Sequence, residues 1–102
     1  MTRVYAEKDG DSYLLSAEGH ATGNEQVCAA VSGIVYALAG YLTNAARDGY
    51  ATSYALETDS GKALLHCYGG ERVEAAYDMA VIGLQQIEKQ YPQLVKVEFS
   101  AG

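Results

Sequence analysis

Val27 to Leu42 is the most apolar stretch of the chain, and its apolar positions are spaced for one purpose. Val27, Val31, Ile34/Val35, Leu38, Tyr41/Leu42 and Ala45 recur at the helical period, so one long helix with a single apolar face is expected through Ala46. Ser32, Gly33 and Gly40 interrupt the run. It is slightly short for a bilayer span and reads as a buried core helix. A second periodic segment places Val73, Ala76/Tyr77, Ala80/Val81, Leu84 and Ile87 on one face and stops at Pro92. Two helices with apolar faces need a common surface to cover.

The rest of the chain supplies that surface. Arg3 to Lys8 and Ser12 to Glu18 read as strands joined around Asp9-Gly10-Asp11, where Asp-Gly signals a tight hairpin. Tyr50 to Glu57 and Lys62 to Tyr68 read as a second hairpin around Thr58-Asp59-Ser60-Gly61. Val95 to Phe99 is a closing strand. The order strand-strand-helix-strand-strand-helix-strand implies an α+β domain of two layers, with both helices packed on one sheet. At 102 residues, the whole of 1–102 is expected to be a single domain with one core.

The loop between the first hairpin and the long helix carries the candidate chemistry. Thr22-Gly23-Asn24-Glu25 fits a capping box with Glu25 three residues after the cap, and Asn24 is the alternative cap. Either start puts Cys28 near the first turn of the helix. There, unpaired backbone N–H groups and the positive end of the helix dipole meet any anion. Cys28 stands roughly 100° round from Val27, on a flank shared with Ser32. His20 follows Gly19 at the end of a predicted strand, near enough in sequence for the loop to fold it back toward the thiol. A thiol and an imidazole are the minimum parts of a cysteine nucleophile. The same cysteine also suits a small core filler, the histidine a turn residue, and Ser32 a hydroxyl bonded to its own helix.

Other chemistries are poorly served. His66 and Cys67 are adjacent in a strand and point to opposite faces, and no zinc-type spacing joins them to His20 and Cys28. One of the pair belongs in the core and the other outside. No metal or other cofactor is expected, and no phosphate-cradling loop or serine-hydrolase elbow is present. Seven basic against thirteen acidic side chains, a net charge of −6 with no basic cluster, argue against direct nucleic-acid or anionic-membrane binding. The start of the chain has no apolar signal region, so Cys28 and Cys67 are expected to be thiols in a reducing cytoplasm. Nine tyrosines suggest either a groove or interface, or strand packing.

Gly19-His20-Ala21, followed by Gly23-Asn24-Glu25-Gln26-Val27-Cys28-Ala29-Ala30-Val31-Ser32, resembles the motif pair of the ribosomal-processing cysteine proteases, the Prp or YsxB-like family. The likeness continues through Gly83-Leu84 to Tyr91-Pro92 and the last strand. The resemblance implies a cysteine endopeptidase with a dyad of Cys28 as nucleophile and His20 as general base. It implies supporting places for Ser32, Gly19 and Glu25, the last standing where the family has Asp. It further implies a homodimer, and a peptide or protein substrate: the N-terminal extension of a large-subunit ribosomal protein. The loop from His20 to Cys28 is shorter than the family's usual one. Other readings are a protease with a phage or other cellular substrate, a non-catalytic binding module on the same fold, and a redox-responsive thiol protein.

Overall fold

The computed structural model describes residues 1–19, 23–59 and 61–102; His20, Ala21, Thr22 and Ser60 lie outside the described residues. Seven elements follow in the expected order: β1 (Thr2–Asp9), β2 (Ser12–Glu18), α1 (Glu25–Arg47), β3 (Ala51–Asp59), β4 (Lys62–Gly69), α2 (Glu71–Gln90) and β5 (Val95–Ala101). The five strands form one sheet in the order β3-β4-β2-β1-β5. Neighbours are antiparallel except β1 and β5, which run parallel because α2 carries the chain across to the far edge. The fold is therefore the expected two-layer α+β arrangement, with both helices packed on one face of the sheet.

Alternation in the strands decides what enters the core. Val4, Ala6, Tyr13, Leu15, Ala17, Leu65, Cys67 and Val95 point toward the helices and are buried. Cys67 is fully buried, while His66 faces the other side, where its Nε2 lies 3.3 Å from Ser12 Oγ. The first hairpin closes on Gly10 at φ +60°, a left-handed turn conformation that glycine adopts without a steric penalty. Along α1, Val27, Val31, Val35, Leu38, Leu42 and Ala45 fill the interior, so the long apolar stripe is a core stripe. Helix α1 is long and apolar enough by length and composition to cross a bilayer, but that stripe lies against protein.

Tyr77 fastens α2 to the sheet. Its ring is buried 5.2 Å from that of Tyr13, and its hydroxyl proton is shared between the carbonyls of Leu14 at 2.9 Å and Glu7 at 3.1 Å. These carbonyls belong to two different strands, so one hydroxyl spans β1 and β2. At the rim, Lys8 reaches back from β1 to Glu74 at 2.8 Å and Asp78 at 3.0 Å on α2. The tyrosines thus divide: Tyr13 and Tyr77 are core residues, while Tyr5, Tyr36, Tyr41, Tyr50, Tyr68 and Tyr91 remain substantially exposed.

Burial, reinforced by the charges of Asp78 and Glu7, holds the Tyr77 phenol above its ordinary range. Burial likewise pushes up the Cys67 thiol. On raising the pH the unfolded chain releases these protons first, so stability is complete below the ordinary thiol value of 9.0 and falls above it. The Tyr77 share begins to fall above 10.0. Replacing Tyr77 by Phe should cost about 1 kcal/mol at neutral pH, and should make the loss above pH 10 shallower than in wild type. Urea unfolding at neutral and alkaline pH measures both effects.

Candidate active site

The site is built where α1 begins. Asn24, not Glu25, sets that point: its backbone is extended at φ −140°, and its side-chain oxygen accepts the Val27 N–H at 3.0 Å. The alternative cap is therefore the one observed. Glu25 becomes the first helical residue, so it does not occupy the third position that a capping box requires. Thr22 lies outside the described residues. The reason is geometric: Asn at the cap satisfies the Val27 N–H directly, and Glu25 in the first turn still meets the helix dipole with a favourable sign.

With that start, the N–H of Cys28 makes the first helical bond, to the Asn24 carbonyl at 3.2 Å. Val27 is buried at 1% exposure, which turns Cys28 onto the flank, half-buried. The flank faces a cleft of about 240 Å³. Thr2, Ala17, Val31 and Val35 form its buried floor with Ala63, and Ser32, Tyr36, Asp59 and Lys62 stand exposed round it. Cys28 and Ser32 thus open on the same space, as their spacing implies.

Gly19 closes the cleft on the strand side. Its N–H donates to the Gly61 carbonyl at 2.8 Å, and its own carbonyl lies 3.5 Å from the Thr2 hydroxyl. One residue therefore joins the end of β2, the start of β1 and the turn between β3 and β4. Its φ is +90°, and a Cβ there would collide with the Met1 carbonyl oxygen, so only glycine fits. His20, the next residue, lies outside the described residues.

Tyr36, Asp59, Lys62 and Thr2 are cleft residues that the motif did not single out. Tyr36 was within reach of sequence reasoning, because Cys28, Ser32 and Tyr36 follow one another every four residues along one helix flank. Asp59 and Lys62 carried no such signal, since only the pairing of β4 with β2 brings their turn beside α1. Cys67 takes no part, being fully buried in the core.

The model of the cysteine protease Prp family matches residues 1–96. The chain belongs to the cysteine protease Prp family and is a cysteine protease. Among solved structures, it is similar to the ribosomal processing protease Prp of S. aureus in complex with a covalently linked product peptide. That match has 17% identity and a TM-score of 0.76, covering 97% of this chain and 99% of the other. The same S. aureus protease with a substrate peptide matches at 16% identity and a TM-score of 0.72, with coverage of 97% and 99%. SMU.848 of Streptococcus mutans matches at 19% identity and 0.74, covering 100% and 96%. At these identities the likeness demonstrates a shared fold. No curated protein matches the sequence.

Replacing Gly19 by Ala forces a side chain into the positive-φ region and against Met1. A cost of about 1–3 kcal/mol is expected from such strain, together with a reduced kcat/KM because the wall of the cleft moves. Urea unfolding and peptidase assays on the same preparation separate the two.

Proposed function

We propose that the chain is an endopeptidase with Cys28 as nucleophile and His20 as general base. Its proposed substrate is the N-terminal extension of a large-subunit ribosomal protein. The carrying observation is that Cys28, in a chain of a cysteine protease family, opens from the first turns of α1 into a cleft. The S. aureus relatives, which share the fold, are described with a substrate peptide and with a covalently linked product peptide.

In this mechanism the Cys28 thiolate attacks the scissile carbonyl, forming a carbon–sulfur bond, and His20 takes up the thiol proton. His20 then protonates the leaving amine as the carbon–nitrogen bond breaks. Water hydrolyses the thioester, regenerating the thiol. The oxyanion needs preorganised donors. Val27 and Cys28 have committed their N–H groups to Asn24, so the helix start offers those of Glu25 and Gln26. Ser32 borders the same cleft as the thiol and supports the site from there, and Gly19 lines that cleft from the strand side.

The enzyme acts as a cytoplasmic homodimer in this reading. Support for the dimer comes from the outer side of α1, where Ala30, Gly33, Ala37, Gly40 and Tyr41 are exposed and no charged residue falls between Glu25 and Arg47. Ile82 on α2 is also exposed. An uncharged face of this kind is suited to a second copy. Ala37→Arg should convert the dimer to monomer in sedimentation equilibrium; an unchanged mass would remove this face from the interface.

A peptide spanning the ribosomal extension from the same organism tests the activity. Wild type should cut it, and Cys28→Ala should abolish cutting while its circular dichroism is unchanged. His20→Ala should slow alkylation of Cys28 by iodoacetamide near neutral pH. Cutting retained in Cys28→Ala would overturn the nucleophile, and unaltered alkylation would remove His20 as the base.

A further inference from the structure

The two edges of the sheet are treated differently. At the β5 edge the Val97 N–H is capped by Glu88 Oε2 at 3.0 Å, so a side chain from α2 already occupies a backbone donor there. At the other edge, β3 buries only Ala51. The first half of β3 is irregular, with a register shift between Thr52 and Ala55 and Ser53 at φ +50°. Such a bulge discourages an added strand. From Ala55 to Asp59 the pairing with β4 is regular, and this stretch runs toward the Cys28 cleft.

The side chains of that stretch extend the cleft floor. Leu56 pairs directly with Leu65 and Thr58 with Ala63, and opposed residues in an antiparallel pair share a face. Leu65 is buried beneath the helices and Ala63 lines the cleft, yet Leu56 is 41% exposed. The helices therefore leave the second half of β3 uncovered at Leu56, and a shelf remains there. Tyr36, 63% exposed, lies on the α1 flank that also carries Cys28 and Ser32. The far end is closed by Tyr54, whose hydroxyl lies 3.0 Å from Thr43 Oγ1 and donates to the Ala39 carbonyl at 3.3 Å. What remains is a shelf about 13 Å long, at roughly 3.3 Å per residue over four residues, open at the thiol end.

We infer that the peptide substrate binds as an added strand along the outer edge of β3, from Ala55 toward Asp59, where no described strand is paired. Leu56 and Tyr36 take its side chains on the helix side, and the scissile bond is presented to Cys28. Every second residue of an edge strand turns its N–H and C=O outward, so the backbone supplies affinity. Leu56 and Tyr36 supply preference for an apolar side chain. The inference rests on the Cys28 protease reading and deepens it by naming where the substrate runs.

The probe is the ribosomal-extension peptide. In the Cys28→Ala protein, bound peptide should slow hydrogen exchange of amides within 55–59 and leave Val97 unaffected. With wild type, N-methylation of successive peptide amides should raise KM about tenfold at alternate positions only. Leu56→Lys and Tyr36→Ala should each raise KM by a similar factor, with kcat and the alkylation rate of Cys28 little changed. Cutting without protection in 55–59, or an N-methyl scan with no alternation, would overturn strand addition and leave the protease intact. An uncut and unbound peptide, with Cys28 slow to alkylate, would overturn both readings.

Discussion

The structure depends on where α1 starts, and that is settled by the bond from the Val27 N–H to the Asn24 side chain. A cap of this kind contributes about 1 kcal/mol, but its larger consequence is phase. Once Asn24 stands at the cap, Val27 enters the core and the next residue turns by about 100°. Cys28 is thereby placed on the flank, where it meets the cleft while its own N–H is absorbed into the helix. A start displaced by one residue would alter which N–H groups remain for an oxyanion.

The sheet supplies the opposing wall, and its geometry follows from how the helices are carried over it. Tyr77 holds α2 across β1 and β2 through two carbonyls, and Lys8 adds a rim contact to the same helix. The central strands are therefore covered, and α1 reaches the start of β3 at Tyr54, while β3 from Ala55 onward is exposed. Gly19 connects this frame to the cleft by bonding the turn after β3 and approaching the Met1 carbonyl. Exposure of Leu56 beside the site is thus a consequence of the uncovered second half of an edge strand, and Tyr36 stands exposed on the helix flank above the same cleft.

Much of this was legible from residue pattern. The helical periods from Val27 and from Val73, the Asp9-Gly10 turn and the stop at Pro92 gave element order and type, because each depends on neighbours within one or two turns of chain. The flank shared by Cys28 and Ser32 follows from helix geometry alone. Less was legible where two local solutions compete. Thr22 and Asn24 both offer a capping oxygen, and the box pattern favoured a role for Glu25 that the observed start does not give it. Alternation required His66 and Cys67 to face opposite sides but was silent about which was inside; burial of the helix-facing side answers it for Cys67.

By itself, the sequence determined the elements, their order, the apolar faces and the position of a thiol in the opening turns of a helix, since all are short-range consequences of side-chain type and backbone geometry. Tertiary structure alone decided the strand order, which brings Asp59 and Lys62 beside Cys28 and makes β3 an edge. It also decided that one edge is capped by Glu88 and that no described strand pairs with the outer side of β3. Strand pairing and cleft shape arise from contacts between residues far apart in the chain, and no periodicity within a single element encodes them.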